Sequence, residues 1–70
     1  MDAILIKISL IKQGVSQAEI AEKIGVKQPS ISQVIHRTAR SRKIASAISE
    51  ALGLPLASVF PEYIINFGRR

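Results

Sequence analysis

One glycine and one proline constrain this chain more than any other feature. Between Ser16 and Ile35, Gly25 ends one segment and Pro29 opens the next. Ser16-Gln17-Ala18-Glu19 has the spacing of a capping box, in which the serine caps a helix and the glutamate reaches back to the serine N–H. The helix so opened holds Ile20, Ala21 and Ile24 at apolar positions and meets Gly25 after barely two turns. Two turns are not stable alone in water, so this helix has to lean on its neighbours. Pro29 suits a first helical turn, where no N–H partner is lost and its fixed φ is already helical. Ile31, Val34 and Ile35 then form an i, i+3, i+4 stripe, while Gln28, Pro29, Ser32, Gln33 and His36 fall on the other face. The spacing therefore predicts two short helices joined by a tight turn.

The rest of the chain continues in the same manner. Asp2 is placed to cap a first helix to about Gln13, with Ile4, Ile8 and Ile11 at helical spacing and Leu5 beside them; this reads as a buried amphipathic helix closed by Gly14. Ser41 can cap a fourth helix that buries Ile44, Ala45, Ile48, Ala51 and Leu52 and ends at Gly53. Pro55 to Phe60 reads as a short fifth helix, begun by one proline and ended by Pro61. Almost no hairpin signal occurs in residues 1 to 60. The expected fold class is all-α, a compact five-helix domain over residues 1–62 with a short tail, residues 63–70.

Seventy residues leave room for one small core. Such a core is marginal without further support, and the absence of cysteine removes disulfides. One histidine and no cysteine make a structural metal site an unpromising expectation, so the metal and cofactor expectation is none. Cysteine-free composition fits the cytoplasm. The run AILIKISLI lacks the basic start and small-residue cleavage site of a signal peptide, and no apolar run is long enough to span a bilayer.

The formal net charge is +5, and its distribution matters more than its size. No acid lies between Glu22 and Glu50, whereas Lys23, Lys27, Arg37, Arg40, Arg42 and Lys43 do. A one-sided basic field of this kind suits a polyanion, although charge alone fits a solvated surface equally well. The search for catalytic groupings is empty. There is no Ser/His/Asp set, no paired carboxylates and no glycine-rich phosphate loop, so an enzyme is not expected.

Two short helices, a three-residue turn containing Gly25, and small Ala21 at the crossing describe a helix-turn-helix. Ile20, Ile24, Val26, Ile31 and Val34 stand where the buried residues of such a unit belong. SQAEIAEKIGVKQPSISQVI resembles the helix-turn-helix of the lambda-repressor-like family, the phage repressors and Cro. ASAISEALGLPLASVFPE resembles that family's closing helices. HR, a basic loop and KIASAISEALGL are particularly similar to the Ner-like phage regulators. The resemblance covers roughly residues 4 to 62.

The resemblance implies a DNA-binding transcriptional regulator, typically a repressor, whose second motif helix enters the major groove. Gln17 matches a phosphate-binding position, and a helix N-terminus is suited to an anion. Gln28 matches a base-reading position, where glutamine can pair bidentately with adenine. Ser32 and Gln33 match further base-reading positions. Pro29 departs from members with a polar reader there and offers only apolar contact, for instance to a thymine methyl. Lys27, Ser30, Arg37, Arg40, Arg42 and Lys43 form the expected phosphate set, with Ser30 alternatively capping the helix. His36 either stabilises the helix dipole or touches phosphate.

Tyr63, Ile64, Ile65 and Phe67 in the tail are candidates for a dimer interface through strand pairing, or fold back on their own domain. The expected partners are double-stranded DNA, with a near-palindromic operator, and a second copy of the chain, with no membrane and no small-molecule ligand. The expected setting is the bacterial or phage-encoded, nucleoid-associated cytoplasm. A protein-interaction module with an antitoxin-like role is the alternative.

Overall fold

A computed structural model describes residues 1–65, with side-chain surroundings through Tyr63. Its elements are α1 (Ala3–Gln13), α2 (Gln17–Ile24), α3 (Gln28–Ile35), α4 (Arg42–Leu52), α5 (Leu56–Val59) and α6 (Glu62–Ile65). The five expected helices are present, and α6 adds one turn from the tail. Residues 63–65 are thus helical where strand pairing was one of two expectations. Phe67 and the side chains of Ile64 and Ile65 lie outside the described residues.

The local signals act as their chemistry dictates. Asp2 caps α1 by accepting the Leu5 N–H at 2.8 Å. Ser16 Oγ accepts the Glu19 N–H at 3.0 Å while Glu19 Oε1 accepts the Ser16 N–H at 2.8 Å, so the capping box closes in both directions. Ser41 Oγ accepts the Ile44 N–H at 3.2 Å. Each such cap is worth about 1 kcal/mol. At the other ends, Gly14, Gly25 and Gly53 all adopt the left-handed conformation that terminates a helix. Gly25, at φ 75°, turns the chain sharply between α2 and α3.

α4 is the centre of the packing. It lies against α1, α2, α3 and α5, while α2 and α3 form the most intimate pair. The core holds Ile6 and Leu10 from α1, Ile20 and Ala21 from α2, and Ile31, Val34 and Ile35 from α3. Ile44, Ala45, Ile48 and Leu52 enter from α4, and Val59 and Phe60 close it. Ala21 is small where α2 approaches its neighbours, while Ile24 and Val26 are only partly buried against the core. Among the described residues Ser49 is the buried polar one; its hydroxyl donates to the Ala45 carbonyl at 2.9 Å, and no buried side-chain polar atom among them is stranded.

The face of α1 differs from expectation. Ile4, Leu5, Ile8 and Ile11 are exposed, at 70%, 48%, 44% and 75%, and Ile6 and Leu10 are buried instead. AILIKISLIKQ is apolar on both sides, so helical spacing groups residues by face without choosing the face that meets the core.

Candidate nucleic-acid interface

α3 is anchored from below. Ile31 and Ile35 are fully buried and Val34 nearly so, which fixes the rotation of this two-turn helix. Gln28, Pro29, Gln33 and His36 are exposed in consequence, and Ser32 is half-buried. Gln28 is the first residue of the helix and Pro29 the second, so both stand on its leading edge. Ser30 is half-buried, and no side chain caps α3; its expected role as a cap is not realised, because Lys27 occupies the cap position and its side chain makes no capping bond. Lys27 is exposed there, a positive charge at a helix start where Pro29 has no N–H to offer and the Ser30 N–H already bonds the Lys27 carbonyl at 3.0 Å.

Gln17 opens α2, beside the closed capping box. The box occupies the Glu19 N–H and leaves the first N–H groups of α2 without intrahelical partners. Gln17 is half-buried and Lys27 exposed, and each stands at the N-terminal end of one of the two motif helices.

The loop from Arg37 to Ser41 is built more tightly than its sequence indicates. Three of the first four helices end on a left-handed glycine, whereas α3 ends on Arg37 with φ 61°. The Arg37 N–H bonds the Val34 carbonyl at 3.1 Å and the Thr38 N–H bonds the Gln33 carbonyl at 2.9 Å, the double closure of a Schellman motif. A residue with a Cβ costs about 1–2 kcal/mol in this conformation.

The Arg37 side chain supplies the compensating contacts. Its Nε donates to Glu62 Oε2 at 2.9 Å, and its Nη2 donates to the carbonyls of Met1 at 2.7 Å and Val59 at 3.2 Å. Its guanidinium carbon lies 5.1 Å from the centre of the Phe60 ring. Met1 joins the same knot, its amino group donating to the Val59 carbonyl at 3.1 Å. Arg37 was expected in the phosphate set. In the fold its Nε and Nη2 are engaged within the chain, joining the end of α3 to both the N-terminus and α6.

Tyr63 organises the remaining arginines. Its hydroxyl oxygen accepts the Ser41 N–H at 3.0 Å, and its ring meets Phe60 edge-on at 5.7 Å. The Arg40 guanidinium lies 4.6 Å from the ring centre, and Arg42 Nη1 donates to the Tyr63 carbonyl at 3.4 Å. Arg40, Arg42 and Lys43 remain exposed. Tyr63 was a candidate for a dimer contact; in the fold its side chain packs on its own domain. Its role here was missed in the sequence, although a tyrosine whose hydroxyl needs a partner near a basic loop is a usable signal.

Electrostatics reinforce this division of labour. Burial pushes the Glu62 carboxyl up, but its own backbone N–H, the Arg37 hydrogen bond and the charges of Arg37 and Arg40 outweigh that and hold it below the usual value. Glu62 is therefore ionised at neutral pH and offsets part of the charge of Arg37 and Arg40, while Lys27, Arg40, Arg42 and Lys43 stay exposed. A groove of about 530 Å³ between α2 and α4 is lined by Val15, Glu19, Ile20, Lys23, Ile24, Ala47, Glu50 and Ala51, and none of the α3 face enters it. Among the described residues no group of three or more His, Asp or Glu side chains is placed to hold a metal ion, and no helix is long and apolar enough to cross a membrane.

A short helix seated on a second one, with polar side chains outward and cations at both ends, defines the class: a helix-turn-helix domain. The family model described as helix-turn-helix, of the Cro/C1 type, matches residues 6–59, and the chain belongs to that family. Comparisons with curated proteins and with solved structures gave no match. DNA-binding transcription regulation is the class of function the family brings.

Proposed function

We propose that this protein is a sequence-specific double-stranded DNA-binding repressor, acting as a homodimer on a near-palindromic operator. α3 enters the major groove with Gln28, Pro29, Ser32 and Gln33 toward base edges. Gln17, Lys27, Ser30, Arg40, Arg42 and Lys43 hold the phosphates on either side. The single observation that carries this reading is the face of α3. Its polar side chains are presented outward by three buried aliphatics, and exposed cations flank it at both ends. Two glutamines with amide groups that both donate and accept are suited to the donor–acceptor pattern of adenine. The basic flanks add the sequence-independent attraction that a duplex requires.

The protein is a binding protein without catalytic chemistry in this reading, working in the nucleoid-associated cytoplasm. Closeness to Ner-like phage regulators rests on the sequence from His36 to Leu54. Selection of bound DNA from random oligonucleotides, followed by titration of the chosen site against salt, tests the proposal. The expected result is a near-palindromic consensus and a log–log salt slope of about −0.9 for each phosphate neutralised. Recovery of no consensus, with binding indifferent to salt, would overturn it.

A further inference from the structure

Arg37 and Arg40 are held in opposite ways. Arg37 places Nε and Nη2 on three acceptors within the chain. Arg40 is held by a ring, its guanidinium carbon 4.6 Å from the centre of Tyr63. A contact on an aromatic face restrains an arginine without occupying its N–H groups. Among the described residues the arginine side chains that donate hydrogen bonds are Arg37 and Arg42, so the donors of the exposed Arg40 are left to solvent. Glu62, whose charge also acts on Arg40, accepts its hydrogen bond from Arg37.

The ring is itself fixed. Tyr63 meets the fully buried Phe60 edge-on at 5.7 Å, and its hydroxyl oxygen accepts the Ser41 N–H at 3.0 Å. Arg42 Nη1 reaches the Tyr63 carbonyl at 3.4 Å. One residue of α6 therefore touches Arg40, Ser41 and Arg42 in succession. From the other side the loop is hooked to α3. The Thr38 N–H, the Thr38 hydroxyl and the Ala39 N–H donate to the Gln33 carbonyl at 2.9, 3.3 and 3.3 Å. Arg40 follows directly on this backbone tie to Gln33, and its side chain is set by Tyr63.

We propose that Tyr63 is a positioning residue for DNA: it holds Arg40 where its guanidinium meets a phosphate beside the bases faced by Gln33. The inference rests on the DNA-binding reading above and concerns the same surface. The gain is entropic. An arginine free in solvent loses rotamer freedom when it docks, and that loss weakens binding. A ring that restrains the guanidinium beforehand removes part of the loss. A planar guanidinium held over a ring still presents its edge, which carries the donors that phosphate oxygens accept. A residue of the tail thereby serves DNA affinity, where a dimer contact was expected of it.

Equilibrium binding of the full chain to the selected duplex and to a random duplex tests this, with circular dichroism as the control for folding. Tyr63→Leu removes the ring, whereas Tyr63→Phe keeps it and removes the hydroxyl. The expected result is that Tyr63→Leu weakens binding to both duplexes by about two- to fivefold, the strength of one exposed cation–π contact, and that Tyr63→Phe recovers most of that loss. In an Arg40→Ala background Tyr63→Leu should add no further loss, because the ring then has no guanidinium to hold. A purely structural role would give the same loss in both backgrounds, and that outcome overturns the proposal. Tighter binding by Tyr63→Leu would also overturn it, since the ring would then be withholding Arg40. Should Tyr63→Leu fail to fold, proton spectra of the wild-type chain decide. The Arg40 δ protons should carry the ring-current shift of Tyr63 in the free chain and keep it in the DNA complex; a shift absent from the free chain or lost on binding overturns the role. A wild-type chain that binds neither duplex would refute the DNA reading itself, whereas binding with additive losses refutes only the part assigned to Tyr63.

Discussion

The guanidinium of Arg37 meets the carboxylate of Glu62 at 2.9 Å, joining residues 25 apart in sequence, with both side chains about one-third exposed. An exposed ion pair of this kind contributes little by itself. Here the same guanidinium also satisfies two backbone carbonyls, and its residue holds the left-handed end of α3. Replacing Arg37 by alanine is expected to cost about 1–3 kcal/mol, mostly through those carbonyls. Arg37→Gly should cost about 1 kcal/mol less than Arg37→Ala, because glycine occupies the left-handed region freely. Urea unfolding of both variants checks the order; equal stability of the two would refute the account of backbone strain.

Glu62 makes the fold sensitive to acid. Its pKa in the folded chain lies below the usual value, so the unfolded chain binds its proton first as pH falls. The stabilisation is therefore fully present above the ordinary carboxylate range and disappears as pH drops through the lowered folded value. Glu62→Gln should be less stable than wild type at neutral pH and lose less on acidification. Urea midpoints measured from neutral to acid pH would show the two curves converging; parallel curves would remove Glu62 from the acid response.

Gln28 and Gln33 are the expected base readers. Substituting either by alanine should weaken binding to the selected site by about 1–3 kcal/mol and leave random DNA nearly unaffected. Equal losses on both DNAs would reassign the two residues as non-specific contacts.

The phosphate set separates from Arg37 by salt. Lys27→Ala and Lys43→Ala should each lower the magnitude of the log–log salt slope by about 0.9. Arg37→Gly should leave that slope alone, since its guanidinium is bound within the chain. Binding isotherms at several salt concentrations report both; a slope change in the Arg37 variant would return it to the phosphate set.

Gly25 tests the turn between the motif helices. No atom lies within 4 Å of a Cβ built there, so Gly25→Ala meets only the cost of a positive φ, about 1–2 kcal/mol. Thermal unfolding measures it, and a loss several times larger would point to a packing role the open space does not support.

Much of this fold was legible because its signals are local. Capping by Ser16, Glu19 and Ser41, termination by Gly14, Gly25 and Gly53, and the helix start at Pro29 depend on neighbours within a few residues. The outward face of α3 was legible for the same reason, since Ile31, Val34 and Ile35 are its only strongly apolar stripe. Two site residues were not. Arg37 carries the same charge as Arg40, yet one is tied to Glu62 and Met1 and the other lies against Tyr63. Charge in a sequence does not reveal which partner a long side chain finds.

The sequence by itself therefore determined where the first four helices begin and end, which of them pair as a helix-turn-helix, and which side of α3 faces outward. Tertiary structure alone decided that α1 buries Ile6 and Leu10 and exposes Ile4, Ile8 and Ile11. It also decided that Tyr63 returns to the basic loop and that Arg37 ties Met1 to Val59 and Glu62. The physical reason is one of range. Caps and turns are settled by chain geometry over a few residues, whereas a helix with two apolar faces, or a cation among several, is assigned only when distant segments compete for the same core and the same carbonyls.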